Sequence, residues 1–210
     1  MEPNFWHERW RENQIGFHLP EAHDFLVNYI SHFKLPQGAS VFLPLCGKTR
    51  DIAWLLERGH HVKGCELSEL AVEQLFAELE VTPQITQKGP LKLYQAPILE
   101  VWVGDIFDLT PELLGPVTLT YDRAALVALP LDMRRRYSAH LLTITSNSPQ
   151  LLITFTYDQA LISGPPFSID AQEVRAHYSG FGAVELLETR KAKQTLKGLS
   201  EVEEHAWSLR

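Results

Sequence analysis

The hydrophobic pattern changes period near residue 36. Before it, Ala22, Phe25, Leu26, Tyr29, Ile30 and Phe33 fall at i, i+3, i+4, i+7, i+8 and i+11, an apolar stripe of helical period. Trp6 and Trp10 stand four apart, which puts them on one face of a helix. The first thirty-odd residues are therefore expected to be helical, ending at Pro36-Gln37-Gly38. Beyond that point strands and helices alternate. Residues 41–43 predict a short buried strand. Residues 51–58 predict a helix with Ile52, Leu55 and Leu56 inward and Gly59 as its stop. Residues 61–65 predict a second strand. Ser68 is placed to cap a helix with Val72, Leu75, Phe76 and Leu79 on one face. A β-α-β-α succession predicts a parallel sheet covered by helices.

The later pattern is looser. Residues 82–90 predict a loop, and 91–94 and 98–105 the arms of a hairpin turned at 95–97. Thr110 and Pro111 open a short helix as cap and first helical residue. Residues 117–123 predict a strand. Residues 130–145 predict a helix with Met133, Tyr137, His140, Leu141 and Ile144 inward and the run Arg134-Arg135-Arg136 as a solvated face. A strongly apolar strand is expected at 150–158, a rigid loop at 164–169, and a helix opened by an Asp170/Glu173 capping box. Residues 183–190 and 201–210 predict two final strands, antiparallel to each other. There are no internal repeats, and one domain over residues 1–210 accounts for the whole pattern.

Composition narrows the function. The net charge of −7 over 210 residues argues against general nucleic-acid binding. Two cysteines are too few for a disulfide scaffold at this length and point to a reducing, cytoplasmic setting. The N-terminus lacks the basic and apolar regions of a signal peptide. No apolar run reaches the length of a membrane span. A monomer is sufficient for everything in the pattern.

The first strand runs into Pro44-Leu45-Cys46-Gly47-Lys48-Thr49. A Gly-Lys-Thr after a strand suggests a phosphate loop, but Walker A also requires a glycine five residues earlier. Phe42 stands there, inside the strand. The dinucleotide fingerprint fails too, because it needs several glycines and only Gly47 is present. What survives is the rule that ligands of open α/β sheets lie beyond the carboxyl ends of the strands. Glu66 ends the second strand nineteen residues after Gly47, the spacing of a carboxylate that accepts both ribose hydroxyls. Gly104-Asp105-Ile106-Phe107 ends the next sheet strand and Tyr121-Asp122-Arg123 the one after. Three strand-end acids in register describe a nucleoside site without a phosphate cradle. S-adenosylmethionine is such a ligand. No metal is expected: His60 and His61 point to opposite faces of a strand, and His18 and His23 lack helical spacing. Cys46 is expected to be a small packing residue, since no histidine or asparagine can be tied to it.

The segments FWHERWRENQIGFH, VFLPLCGKTRDIAWLLERGHHVKGCELSE, GDIFDL, YDRAALVALP and GPPF, spread over residues 5–167, resemble the thiopurine S-methyltransferases, and especially their bacterial members. The resemblance implies an α/β, Rossmann-like S-adenosylmethionine-dependent methyltransferase fold. Its sheet would be seven-stranded and mostly parallel, with a C-terminal antiparallel hairpin and an N-terminal helical lid at 1–35. It implies that Trp10, Leu45, Gly47, Glu66 and Arg123 line the cofactor site, with Asp105 and Ile106 near the adenine. Phe17, and Trp6 beside it, would contact the aromatic ring of the substrate. The implied reaction is S-methylation of aromatic and heterocyclic thiols, with S-adenosylhomocysteine as product; some bacterial relatives act on selenium and tellurium compounds. Arg123 is placed either to favour the thiolate or to orient the cofactor, and Lys191, Lys193 and Lys197 are candidates for a second cation. Two other readings compete: a nicotinamide-dependent oxidoreductase, and a regulator that binds S-adenosylmethionine without turnover.

Overall fold

The computed structural model describes residues 3–193 and 196–210. These form one nine-stranded sheet in the order β3-β4-β5-β2-β1-β6-β7-β9-β8. The strands are β1 (Ser40–Pro44), β2 (His61–Glu66), β3 (Gln84–Lys88), β4 (Leu91–Ala96), β5 (Leu99–Val103), β6 (Leu119–Asp122), β7 (Gln150–Thr156), β8 (Val184–Lys191) and β9 (Glu203–Leu209). Strands β5-β2-β1-β6-β7 are parallel, and β9 and β8 close that end as the expected antiparallel hairpin. These are the seven strands of the implied fold, and β3 and β4 extend them at the other end.

The central strands are mostly buried because helices cover both faces, as parallel sheets require. In β1, Val41 and Leu43 pack with Ile52 and Leu55 of α3 (Arg50–Glu57) and Val72, Leu75 and Phe76 of α4 (Glu69–Glu78). Phe42, between them, points the other way into a cluster with Leu114 of α5 (Pro111–Leu114) and Tyr137, Leu141 and Ile144 of α6 (Leu131–Ile144). Phe42, Ile52 and Leu55 are fully buried, each contributing about 1.5–3 kcal/mol of hydrophobic stabilisation. Gly59, at φ +77°, follows α3 and turns the chain into β2. The chain leaves β1 for β2 on one side and returns to pair β6 on the other. A crevice therefore opens at the carboxyl end of β1.

Four local expectations are corrected. The helical lid is broken: α1 (Pro3–Arg11) and α2 (Asp24–Tyr29) are separated by an irregular strap at 12–23, and a 3₁₀ turn (Ile30–Phe33) continues α2. Residues 1 and 2 of that segment lie outside the described residues. Residues 82–90 contain β3, whose side chains are nearly all exposed; an edge strand need not show an apolar face. The following reversal falls at Pro97-Ile98, because β4 runs on to Ala96. Finally, Arg134 is buried. Its Nε donates to Glu173 of α7 (Ala171–His177) at 2.6 Å and its Nη1 to the Leu129 carbonyl at 2.7 Å.

Candidate active site

A cavity of about 580 Å³ lies over the carboxyl ends of β1, β2, β5 and β6, roofed by α1 and the strap. Its floor is the loop after β1. Leu45 takes φ +47° and Gly47 φ +52°, so the chain turns twice through the left-handed region before α3 begins. Gly47 is needed for a second reason: a Cβ there would stand 2.8 Å from Trp10 Cζ2. The positive φ of Leu45, unusual for a β-carbon residue, has no sequence signature. Lys48 is engaged by Glu78 at 2.6 Å, and Thr49 caps α3 by accepting the Asp51 N–H. Neither faces a phosphate cradle.

Glu66 ties the two neighbouring loops together. Oε2 accepts the Gly47 N–H at 2.7 Å and Oε1 accepts the Ser68 N–H at 2.8 Å. Ser68 stands at the N-cap of α4 as expected, but its hydroxyl makes no cap bond; the Ala71 N–H is bonded at 3.1 Å to the Ser68 carbonyl instead. Burial pushes the Glu66 carboxyl pKa up, and the N–H bonds from Ser68, Gly47 and Leu67 act against that rise. A carboxylate has about four acceptor sites; the N–H groups of Gly47 and Ser68 take two and that of Leu67 also faces it, which leaves acceptor capacity for a ligand hydroxyl. Further along the same edge, Asp105 stands exposed at the mouth and accepts the Phe107 N–H at 3.0 Å. Ile106 is buried beside it, and its carbonyl accepts the His140 Nε2–H at 2.8 Å.

The roof is aromatic. Phe17 packs edge-on against both Trp6 (centroids 6.0 Å apart) and Trp10 (5.7 Å). Arg123, after β6, donates from Nη2 to the Phe17 carbonyl at 2.9 Å, and its Nη1 lies 3.9 Å from Asp51 Oδ2. The structure thus brings Trp6, Trp10, Phe17, Leu45, Gly47, Glu66, Asp105, Ile106 and Arg123 around one cavity. Cys46 lies in the floor with its thiol pKa pushed well up, by burial first and the Glu66 charge second, as a packing residue would be.

The sequence reading missed a polar chain along the other wall. His23 Nε2 meets Glu204 Oε1 at 2.9 Å, Arg190 Nη2 donates to Glu204 at 2.8 Å, and the Arg190 guanidinium covers Phe25 at 3.9 Å. Arg190 and Glu204 are register partners across β8 and β9; opposite charges facing each other across a predicted hairpin were the available signal. Of the three lysines considered for a second cation, Lys193 and Lys197 line the cavity, whereas Lys191 pairs with Glu201 at 3.1 Å outside it.

The whole chain, residues 1–210, matches the family described as Thiopurine S-methyltransferase. A protein named Thiopurine S-methyltransferase from Xanthobacter autotrophicus is 52% identical over 210 residues, covering 100% of this chain and 99% of that one. One of the same name from Gluconobacter oxydans is 47% identical over 203 residues, covering 97% and 92%. Among solved structures, the Burkholderia thailandensis 1,6-didemethyltoxoflavin-N1-methyltransferase, with 1,6-didemethyltoxoflavin and S-adenosylhomocysteine bound, shares the fold at TM-score 0.66 and 15% identity, over 99% of this chain and 86% of that one. A TehB-like S-adenosylmethionine-dependent methyltransferase from Corynebacterium glutamicum aligns at TM-score 0.58 and 14% identity, over 99% and 98%. With that fold and that full-length identity, the chain is an S-adenosylmethionine-dependent methyltransferase and belongs to the thiopurine S-methyltransferase family.

Proposed function

We propose that the cavity binds S-adenosylmethionine against the β1 and β2 loops and that the chain S-methylates aromatic and heterocyclic thiols, thiopurines among them. The observation that carries this reading is the meeting of Gly47 and Glu66 under an aromatic roof: a buried carboxylate with free acceptor sites, 2.7 Å from a glycine N–H that lets a nucleoside approach. In this reading Glu66 accepts the ribose hydroxyls, Asp105 and Ile106 flank the adenine, and Leu45, Gly47 and Trp10 shape the floor and roof. Phe17, steadied by Trp6, lies against the substrate ring.

Bound S-adenosylmethionine supplies an electrophilic methyl group on a sulfonium. The sulfide leaving group needs no proton, so the protein acts chiefly by alignment and by excluding water. Trp6, Trp10 and Phe17 do the excluding. Arg123 spends one N–H on the Phe17 carbonyl and keeps other donors of its guanidinium for the bound molecules. Its charge favours the thiolate over the thiol. The same cavity is offered to selenium and tellurium nucleophiles, which react by the same displacement. We further propose that the 210-residue chain acts as one domain, as a cytoplasmic monomer. Among the described residues no helix is long and apolar enough to cross a membrane.

Calorimetry with S-adenosylmethionine, NAD and ATP separately tests the ligand: micromolar binding of the first alone is expected, and binding of NAD alone overturns the reading. Methyl-transfer assays with 6-mercaptopurine and with selenite then test the substrate. A chain that binds the cofactor and methylates neither overturns the substrate reading.

A further inference from the structure

Asp51 is 1% exposed and lies in the cavity wall. Its Oδ1 accepts the His23 N–H at 2.7 Å, its Oδ2 accepts the Thr49 hydroxyl at 2.8 Å, and that same Oδ2 faces Arg123 Nη1 at 3.9 Å. Arg123 in turn donates to the Phe17 carbonyl at 2.9 Å. The two ends of strap residues 17–23 are therefore fastened to the core by the two members of one ion pair. The charges are matched to the fastening: the cation holds a carbonyl and the anion holds an N–H. Between these ends the strap has no helix or strand to stiffen it, and its one backbone–backbone bond there runs locally, from the His18 N–H to the Ile15 carbonyl.

We propose that Asp51 is a positioning residue for methyl transfer, setting both the guanidinium of Arg123 and the strap that carries Phe17. This rests on the reading above that Arg123 and Phe17 face the reacting molecules. The carboxylate does three things at once. It fixes the rotamer of Arg123 by charge, with Thr49 holding Oδ2 toward it. It pins His23, beyond which α2 begins. Because Arg123 is itself bonded to Phe17, it transmits its position to the ring that covers the substrate. A neutral residue of the same shape keeps an acceptor for His23 but loses the hold on Arg123. Asp51 itself need touch neither substrate nor cofactor, so its loss should misplace the reacting groups without removing any of them.

The test is Asp51→Asn in the full chain. Three quantities are measured beside the wild type: hydrogen exchange of the amides of residues 15–23, the dissociation constant of S-adenosylhomocysteine, and kcat and KM with a thiopurine. Expected are a melting temperature within a few degrees of wild type, exchange across 15–23 faster by about tenfold, and a KM for the thiol raised several-fold with kcat lowered. The double variant Asp51→Asn/Arg123→Ala should be no worse than Arg123→Ala alone. Wild-type exchange and wild-type KM in Asp51→Asn, or full additivity in the double variant, overturn the proposal. If Asp51→Asn does not fold, Arg123→Lys reads the coupling from the other side: exchange should rise at the Phe17 end first, and an unchanged strap overturns the proposal. Exchange and product binding are read without turnover. A wild type that binds S-adenosylhomocysteine but methylates no thiol would sink the substrate reading and leave the Asp51 result to stand on its own.

Discussion

The indole of Trp10 lies directly on Gly47, so close that a Cβ at 47 would sit 2.8 Å from Cζ2. Helix α1 and the loop after β1 are thus complementary surfaces, and the smallest change at 47 separates them. Gly47→Ala should cost about 1–2 kcal/mol from the left-handed φ alone, plus displacement of the indole. It also shifts the N–H that Glu66 accepts. We expect S-adenosylmethionine affinity to fall at least tenfold, about 1.4 kcal/mol. In a Trp10→Ala background the steric part is gone, so the two changes should couple by about 0.5–3 kcal/mol. Titration calorimetry on the four proteins checks this; strictly additive losses would mean the indole and the loop act independently.

The proposed ligand role of Glu66 can be tested apart from its support of the loops. Glu66→Gln keeps an acceptor for one backbone N–H and removes the charge. Cofactor affinity should fall by roughly 1.5–3 kcal/mol, and the one backbone N–H left facing the amide NH2 should cost about 1–3 kcal/mol of stability. Glu66→Ala also strands the buried N–H groups of Gly47 and Ser68, each costing about 1–3 kcal/mol of stability. Because burial raises the carboxyl pKa, cofactor affinity should weaken on acidification at a higher pH than an ordinary glutamate would give. An unchanged dissociation constant in Glu66→Gln removes this residue from the site.

Much of this site was legible because it depends on local order. The alternation of strand and helix places Leu45, Glu66 and Asp105 at one sheet edge whatever the details, and the nineteen residues from Gly47 to Glu66 are one βα unit long. What stayed hidden depends on tertiary partners. The strap at 12–23 is held by Asp51 and Arg123, far away in sequence, so no local period announces its break. Strand β3 has a single half-buried position, at Thr86, and is held by its ladder to β4. In the run 134–136, successive helical positions turn by about 100°, so three adjacent arginines cannot share one solvated face. Composition alone does not say which of them goes inward.

Arg134 is the one that does, and its removal should be costly. It joins α6 to Glu173 of α7 and to the Leu129 carbonyl, with its guanidinium 5.4 Å from the Phe167 ring centre. Arg134→Ala breaks all three contacts. A fully buried broken pair costs about 3–5 kcal/mol. Here about 2–3 kcal/mol is expected, because the Glu173 side chain is 22% exposed and water screens it. At roughly 2–4 °C per kcal/mol for a chain of this size, the melting temperature should drop by about 4–12 °C. Cofactor affinity in the surviving folded protein should hold. A melting temperature at the wild-type value would show that the pair contributes nothing net.

Asp122 gives the fold a pH dependence of definite sign. It is fully buried, accepting the Leu126 N–H at 3.0 Å and the Tyr137 hydroxyl at 2.7 Å. Burial pushes its pKa from 3.8 up to about 6, against the pull of the bonds from Leu126, Tyr137 and Ala125. The folded chain therefore holds the Asp122 proton more tightly than the unfolded chain. That contribution is fully present below the unfolded value and is lost as pH rises through the folded one. At about 1.4 kcal/mol per unit, the window from pH 4 to pH 6 carries on the order of 3 kcal/mol. Asp122→Asn keeps the shape and cannot titrate, so it removes the term. Urea unfolding of both proteins at pH 4.5, 6 and 7.5 isolates it from the other carboxylates. The stability of Asp122→Asn relative to wild type should be highest at pH 7.5 and fall toward pH 4.5. A difference that stays flat across that range would mean the carboxyl titrates alike in both states. The turn that carries Arg123 would then be anchored by an ionised Asp122.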